Sequence, residues 1–191
     1  MDAFLVSTGI VGLAEIGDKT QLLAFLLAAR FRRPLPIVLG IFVATVANHA
    51  FAAAVGALVS QLLGAGVMRW VLGLSFLAMA AWTMIPDEID AEEAQLAKYG
   101  VFLTTLIAFF VAEMGDKTQV ATVALAARYE SMAAIVAGTT FGMMLANVPA
   151  VYFGERIANR VPLRLVHGIA ALIFAVLGIA TLLGMGEGLG F

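Results

Sequence analysis

Two nearly identical acidic motifs lie within apolar stretches of the chain. The first is EIGDKTQ, residues 15–21, and the second is EMGDKTQ, residues 113–119, ninety-eight positions later. Together they supply a hard, oxygen-rich set of side chains of the kind that binds Ca²⁺, Mn²⁺ or Mg²⁺. The candidate ligands are the carboxylates of Glu15, Asp18, Glu113 and Asp116 and the side-chain oxygens of Thr20, Thr118, Gln21 and Gln119.

Each motif also carries a lysine, and the spacing allows a purely structural interpretation. On a continuous helix Glu15, Asp18 and Lys19 share one face, so Glu15 and Lys19 could form an intrahelical ion pair. That pair leaves one carboxylate per motif without a lysine, at a cost of at least about 2.5 kcal/mol in the middle of a membrane. The excess acid favours a functional site, in which Lys19 and Lys117 balance charge.

The glycine inside each motif strengthens this interpretation. Gly17 and Gly115 follow the glutamate by two residues in both copies. Glycine permits either a close approach of helices or a local unwinding that exposes backbone oxygens to an ion.

A second group of polar residues is expected at a similar depth. Asn48 and Asn147 are candidate ligands, with hydrogen bonding between helices as the alternative. His49 is a candidate for proton coupling, and an ordinary packed histidine is the alternative. His167 is expected at a helix interface rather than in the site.

Composition places these motifs in a membrane protein. Hydrophobic residues make up 62% of the 191 residues and charged residues only 13%, and the mean hydropathy is +1.01. A soluble domain of this size could not bury so much apolar surface. The net charge of −2 gives no basis for nucleic-acid binding, and the absence of cysteine excludes disulfides and thiolate metal sites.

Six apolar runs are long enough to cross a bilayer, which requires about 20 helical residues. They cover residues 4–29, 37–63, 67–85, 101–127, 132–157 and 163–183. We therefore predict an all-α integral membrane protein with six transmembrane helices. An acidic linker, residues 86–100, separates a first three-helix repeat, 1–85, from a second, 101–191.

The two halves are copies of each other. A shift of ninety-eight positions superimposes both motifs and also matches Gly40 with Gly138, Gly56 with Gly154 and Phe76 with Phe174. Because each copy contains an odd number of crossings, the second copy must enter the membrane from the opposite side. Such an inverted-topology repeat is typical of transporters.

Positive charge in the loops predicts the orientation. One side carries seven basic residues, Arg30, Arg32, Arg33, Lys98, Arg156, Arg160 and Arg164, and the other carries Arg69 and Arg128. The side richer in Lys and Arg faces the cytoplasm. Both termini are thus predicted outside and the acidic linker in the cytoplasm.

The doubled motif, each copy leading into LAAR and an aromatic residue, resembles the signature of the GDT family of cation/proton exchangers. The resemblance covers nearly the entire chain. It implies that Glu15, Asp18, Glu113 and Asp116 form a cation site between the repeats. It further implies export of Mn²⁺ or Ca²⁺ as substrate, protons as the coupling ion, and no cofactor. It does not choose between manganese and calcium or predict an oligomeric state.

Three other functions fit parts of the pattern. An intramembrane aspartyl protease also uses two aspartates on neighbouring helices, but its motif has a glycine where this chain has Glu15 or Glu113. An exporter of amino acids or other small organic solutes shares the six-helix outline and should have a larger, less acidic cavity. A structural membrane scaffold would tolerate Glu15→Gln.

Overall fold

The computed structural model describes residues 1–85, 100–153 and 163–184. The chain is all-α across these ranges, where it forms eight helices and no strand. They are α1 (Asp2–Glu15), α2 (Lys19–Phe31), α3 (Pro34–Leu62), α4 (Ala65–Trp82), α5 (Gly100–Glu113), α6 (Lys117–Arg128), α7 (Met132–Phe153) and α8 (Leu163–Leu182). Residues 86–99 of the predicted linker, Gly154, Arg156 and Arg160 lie outside the described ranges.

Three of these helices are long and apolar enough to cross a membrane. They are α3, α7 and the segment Arg164–Leu182 of α8, and Gly66–Trp82 and Gly100–Glu113 are shorter apolar helices. In lipid a helix satisfies its own backbone hydrogen bonds, which is why long apolar runs adopt this form. Two of the six predicted runs, 4–29 and 101–127, each contain two helices instead of one.

The exposed surface of the helices is apolar, whereas the interior holds polar residues. Phe51, Leu58, Leu74, Leu145 and Leu172 are all exposed, and every acidic residue of the two motifs is buried. Apolar side chains around a polar interior fit a lipid environment, where water is found only in internal cavities.

Helices of one half pack mainly against helices of the other half. α3 contacts α5, α6 and α7, and α7 also packs against α1 and α2. α4 and α8 form a separate pair at the side of this group. The four short motif helices therefore pack against the long helices α3 and α7.

Glycines at equivalent positions make close contacts between the halves. A Cβ atom added at Gly40 of α3 would lie 2.9 Å from the carbonyl oxygen of Phe102 in α5. One added at Gly138 of α7 would lie 2.5 Å from the carbonyl oxygen of Phe4 in α1. Both the glycines and the phenylalanines are ninety-eight residues apart. The contact of α3 with α5 is therefore equivalent to the contact of α7 with α1.

Candidate metal centre

Each acidic motif interrupts its helix. α1 ends at Glu15 and α2 begins at Lys19, while α5 ends at Glu113 and α6 begins at Lys117. Between them Gly17 and Gly115 have φ angles of 85° and 79°, in the left-handed region that glycine adopts without steric cost. The prediction of a continuous helix through the motif is thus wrong, and the alternative of local unwinding at the glycine is confirmed.

The glutamine of each motif holds the break together. Gly17 N–H donates to Gln21 Oε1 over 2.9 Å, and Gly115 N–H donates to Gln119 Oε1 over 2.7 Å. Within a membrane interior an unpaired backbone N–H is costly, so this bond stabilises the unwound segment. The sequence predicted these glutamine oxygens as metal ligands, whereas the structure shows them bound to the backbone.

The two breaks bring all four acids together. One carboxylate oxygen from each of Glu15, Asp18, Glu113 and Asp116 lies within 4.8 Å of the other three, and all four residues are buried. Like charges so close together, away from water, repel strongly unless cations or protons neutralise them. The cluster therefore requires positive charge.

Part of that charge comes from the lysines, in a crossed arrangement. Lys117 contacts Asp18 Oδ1, and Lys19 Nζ lies 3.8 Å from Asp116 Oδ1. Each lysine thus pairs with the aspartate of the other half. The intrahelical pair between Glu15 and Lys19 that the spacing allowed does not form, because the helix ends between the two residues.

The glutamates are held by threonines. Thr20 Oγ1 donates to Glu15 Oε2 over 2.6 Å, and Thr118 Oγ1 donates to Glu113 Oε2 over 2.9 Å. Across the part of the chain that the structure describes, the second oxygen of each glutamate, Oε1, has no hydrogen-bond partner. The two glutamates of the cluster therefore each have one acceptor atom available.

The equivalent residues around the acidic cluster differ in solvent exposure between the two halves. The Lys117 side chain is 2% exposed, whereas that of Lys19 is 25% exposed. Met114 is exposed at the second break, while Ile16 at the first is only partly so. The second break and Lys19 therefore lie closer to the surface.

The other predicted polar residues are buried on α3 and α7. Asn48 Nδ2 donates to the carbonyl oxygen of Phe110 over 3.0 Å, which is the helix-to-helix bond considered as the alternative. Asn147 Nδ2 donates within its own helix to Met143, over 3.1 Å to the carbonyl oxygen. His49 does not belong to the close acidic group, and neither of its ring nitrogens has a hydrogen-bond partner among the described residues.

One contact was missed by the sequence analysis. His167 Nε2 of α8 lies 3.0 Å from the carbonyl oxygen of Ile16, inside the first break. His167 was expected at a helix interface, and its neighbour proves to be an unwound backbone segment. Only the polarity of position 167 in an apolar helix could have indicated this contact.

Comparison with known proteins identifies the family. The family described as "Divalent cation/proton antiporter GDT1" matches residues 3–91 and 101–188, one match to each half. The chain belongs to this family. GDT1 proteins are transporters, so the chain is a transporter and not an enzyme, and the protease interpretation is wrong.

Individual relatives agree with the GDT1 family. A Vibrio cholerae protein named "Putative manganese exporter" is 48% identical over 182 residues, which cover 95% of this chain and 90% of the relative. "GDT1-like protein 3" of Oryza sativa subsp. indica is 29% identical, over 91% of this chain and 71% of the relative. "GDT1-like protein sll0615" of Synechocystis is 26% identical, over 95% of this chain and 97% of the relative. No solved structure matches the chain.

The unequal burial of the two lysines predicts unequal effects of removing them. Lys117→Met leaves Asp18 without its lysine in a buried site, and breaking a buried ion pair costs about 3 kcal/mol or more. Lys19→Met removes a longer and partly exposed pair and should cost less. Thermal unfolding of both variants in detergent should therefore show a clearly lower midpoint for Lys117→Met. Equal midpoints would mean that the pairs are equivalent in the protein.

Proposed function

We propose that this GDT1 protein is a secondary antiporter that exports a divalent cation from the cytoplasm in exchange for protons. The substrate ion binds at Glu15, Asp18, Glu113 and Asp116. The observation that carries the proposal is the convergence of these four buried carboxylates within 4.8 Å of one another. No structural role explains two acids in excess of the lysines at one point of a membrane protein.

The crossed ion pairs define the charge of the site. Asp18 and Asp116 are each matched by a lysine of the other half, so Glu15 and Glu113 account for the remaining two negative charges. One divalent cation neutralises them, and so do two protons. Either occupant leaves a nearly neutral cluster that can change its exposure within lipid, whereas an empty site stays charged.

The remaining predicted site residues have supporting roles in this proposal. Thr20 and Thr118 orient the glutamates and can offer a lone pair to the ion. Gln21 and Gln119 stabilise the unwound backbone of the breaks through their hydrogen bonds. Lys19 and Lys117 balance charge. Asn48, Asn147 and His49 lie on the long helices beside the breaks, as further ligands or, for His49, as a coupling residue.

Mn²⁺ is the leading substrate and Ca²⁺ the second candidate. Carboxylate and hydroxyl oxygens suit both ions, so the choice of manganese rests on the Vibrio cholerae relative, whose name refers to manganese export. Organic solutes are disfavoured, since the family is described for divalent cations. The preference for Mn²⁺ over Ca²⁺ can be tested directly by measuring the uptake of each ion by the purified protein in liposomes under the same pH gradient.

For the architecture we propose six crossings arranged as two inverted repeats, residues 1–85 and 101–191, joined by the cytoplasmic linker 86–100. Equivalent residues that touch each other support a twofold relation between the repeats. The rings of Phe76 and Phe174, ninety-eight residues apart, stack with centroids 6.4 Å apart.

We also propose that both termini lie outside and that the protein is in the bacterial inner membrane, and the positions of the helix ends support placing the two termini on the same side. One crevice is lined by Val6 near the start of α1, Arg128 at the end of α6 and Thr181 near the end of α8. The proposed topology puts all three ends on the outer side.

The topology predicts opposite labelling of two engineered cysteines. The chain has no cysteine of its own, so a single substitution gives a unique thiol. In intact cells a membrane-impermeant maleimide should label Glu130→Cys, between α6 and α7, and should not label Glu92→Cys in the linker until the cells are opened. The reverse pattern would invert the proposed direction of transport.

The acidic cluster predicts the effect of neutralising one glutamate. Glu113→Gln removes one of the two charges that the ion must balance, so we expect metal-dependent uptake in liposomes to fall to background while the protein still inserts and purifies. Glu130→Gln is the matched control, since Glu130 is exposed and outside the cluster. Near-normal uptake by Glu113→Gln would remove Glu113 from the site.

The charge balance also predicts electroneutral exchange of one divalent cation for two protons. Clamping the membrane potential of the liposomes with potassium and valinomycin should leave the rate of Mn²⁺ uptake unchanged, whereas collapsing the pH gradient should slow net accumulation. Strong dependence on voltage would refute the ratio of two protons per ion and would indicate that a lysine does not carry its charge in the site.

A further inference from the structure

α8, the last helix among the described residues, reaches the first helix break through one hydrogen bond. α8 packs mainly against α4, but it also lies along α1, where Ala170, Ile173 and Phe174 face Ile10 and Leu13. At the end of this contact His167 Nε2 lies 3.0 Å from the carbonyl oxygen of Ile16.

The Ile16 carbonyl oxygen has no hydrogen-bond donor within its own helix. Ile16 follows the last residue of α1, and carbonyl groups at a helix C-terminus have no partner in their own helix. In an apolar interior an unpaired carbonyl is costly. Because a carbonyl only accepts hydrogen bonds, Nε2 of His167 must carry the hydrogen.

The second break lacks an equivalent contact. The residue ninety-eight positions before His167 is Arg69 of α4, and the counterpart of Ile16 is Met114. The Arg69 guanidinium lies at the far end of α8, 3.6 Å from a Cβ placed at Gly184. Arg69 therefore does not occupy the position at Met114 that His167 occupies at Ile16, and Met114 is exposed. Only the first break is therefore tied to a neighbouring helix in this way.

We propose that His167 is a positioning residue that fixes the first break and thereby the relative placement of Glu15 and Asp18, which flank Ile16. It touches neither the ion nor the carboxylates. Its hydrogen bond keeps the unwound segment in the one arrangement that brings both side chains into the cluster. This inference rests on the proposed function, because it assigns His167 an effect on the affinity of that site.

Loss of the hydrogen bond should lower the fraction of protein in the competent arrangement. A typical net hydrogen bond corresponds to about a fivefold change in such an equilibrium. The apparent affinity for the ion falls in proportion to the competent fraction, while the maximal rate, measured at saturating ion, changes little. His167→Ala should therefore raise the KM for Mn²⁺, by up to about fivefold.

The first arm of the test measures the break itself, without transport. Ile16→Cys and Met114→Cys each place a unique thiol at one break, and both are made with His167 intact and with His167→Ala. N-ethylmaleimide should react with Ile16→Cys faster, by up to about fivefold, after the loss of His167, while its reaction with Met114→Cys should not change. An unchanged rate at Ile16→Cys, or an equal rise at both positions, would overturn the proposal.

The second arm measures Mn²⁺ transport in liposomes by the otherwise unaltered protein. His167→Gln keeps a side-chain N–H donor and should restore the KM, whereas Arg69→Gln, at the equivalent position of the other half, should leave it unchanged. A KM that stays normal in His167→Ala, or that rises equally in Arg69→Gln, would show that His167 does not position the site. If the wild-type protein carries no divalent cation, the proposed function fails, while the labelling arm still decides whether His167 holds the break.

Discussion

The structure depends on one constraint, which is that carboxylates buried together in a membrane protein must be matched by positive charge. Four of them lie within 4.8 Å of one another, at a separation where unscreened repulsion exceeds the contribution of any single hydrogen bond. The lysine that crosses from each half to the aspartate of the other is a direct response to this constraint. It also links the two halves, because each aspartate pairs with the lysine of the other half.

The helix breaks follow from the same requirement. An unbroken helix would place Glu15 and Lys19 one turn apart and direct the lysine to its own half. Unwinding at Gly17 and Gly115 separates the acids from the lysines that follow them and leaves backbone groups without partners. Gln21, Gln119 and His167 then satisfy several of these groups. These three polar side chains thus bind the unwound backbone beside the cluster.

Duplication explains why the site is nearly symmetric, and its departures from symmetry are informative. The contacts of Gly40 and Gly138 repeat at equivalent positions, as do the threonine bonds to the glutamates. Lys19 and Lys117 differ in burial, however, and only one break has a histidine partner. Under the proposed inverted-repeat architecture such differences matter, because identical conformations in both copies would expose the cluster equally to both sides of the membrane.

The amino-acid sequence by itself determined the membrane class, the duplication and the four acids, because hydropathy, periodic matches and residue types are local properties of the chain. The tertiary structure alone decided that each motif is a break, that Lys117 pairs with Asp18 and Lys19 with Asp116, and that the glutamines bind backbone N–H groups. These features depend on the contact between the two motifs, which lie ninety-eight residues apart in the sequence. Spacing within one motif permits both an intrahelical and a crossed ion pair, and only the packing of α3 and α7 against the four short helices selects the second.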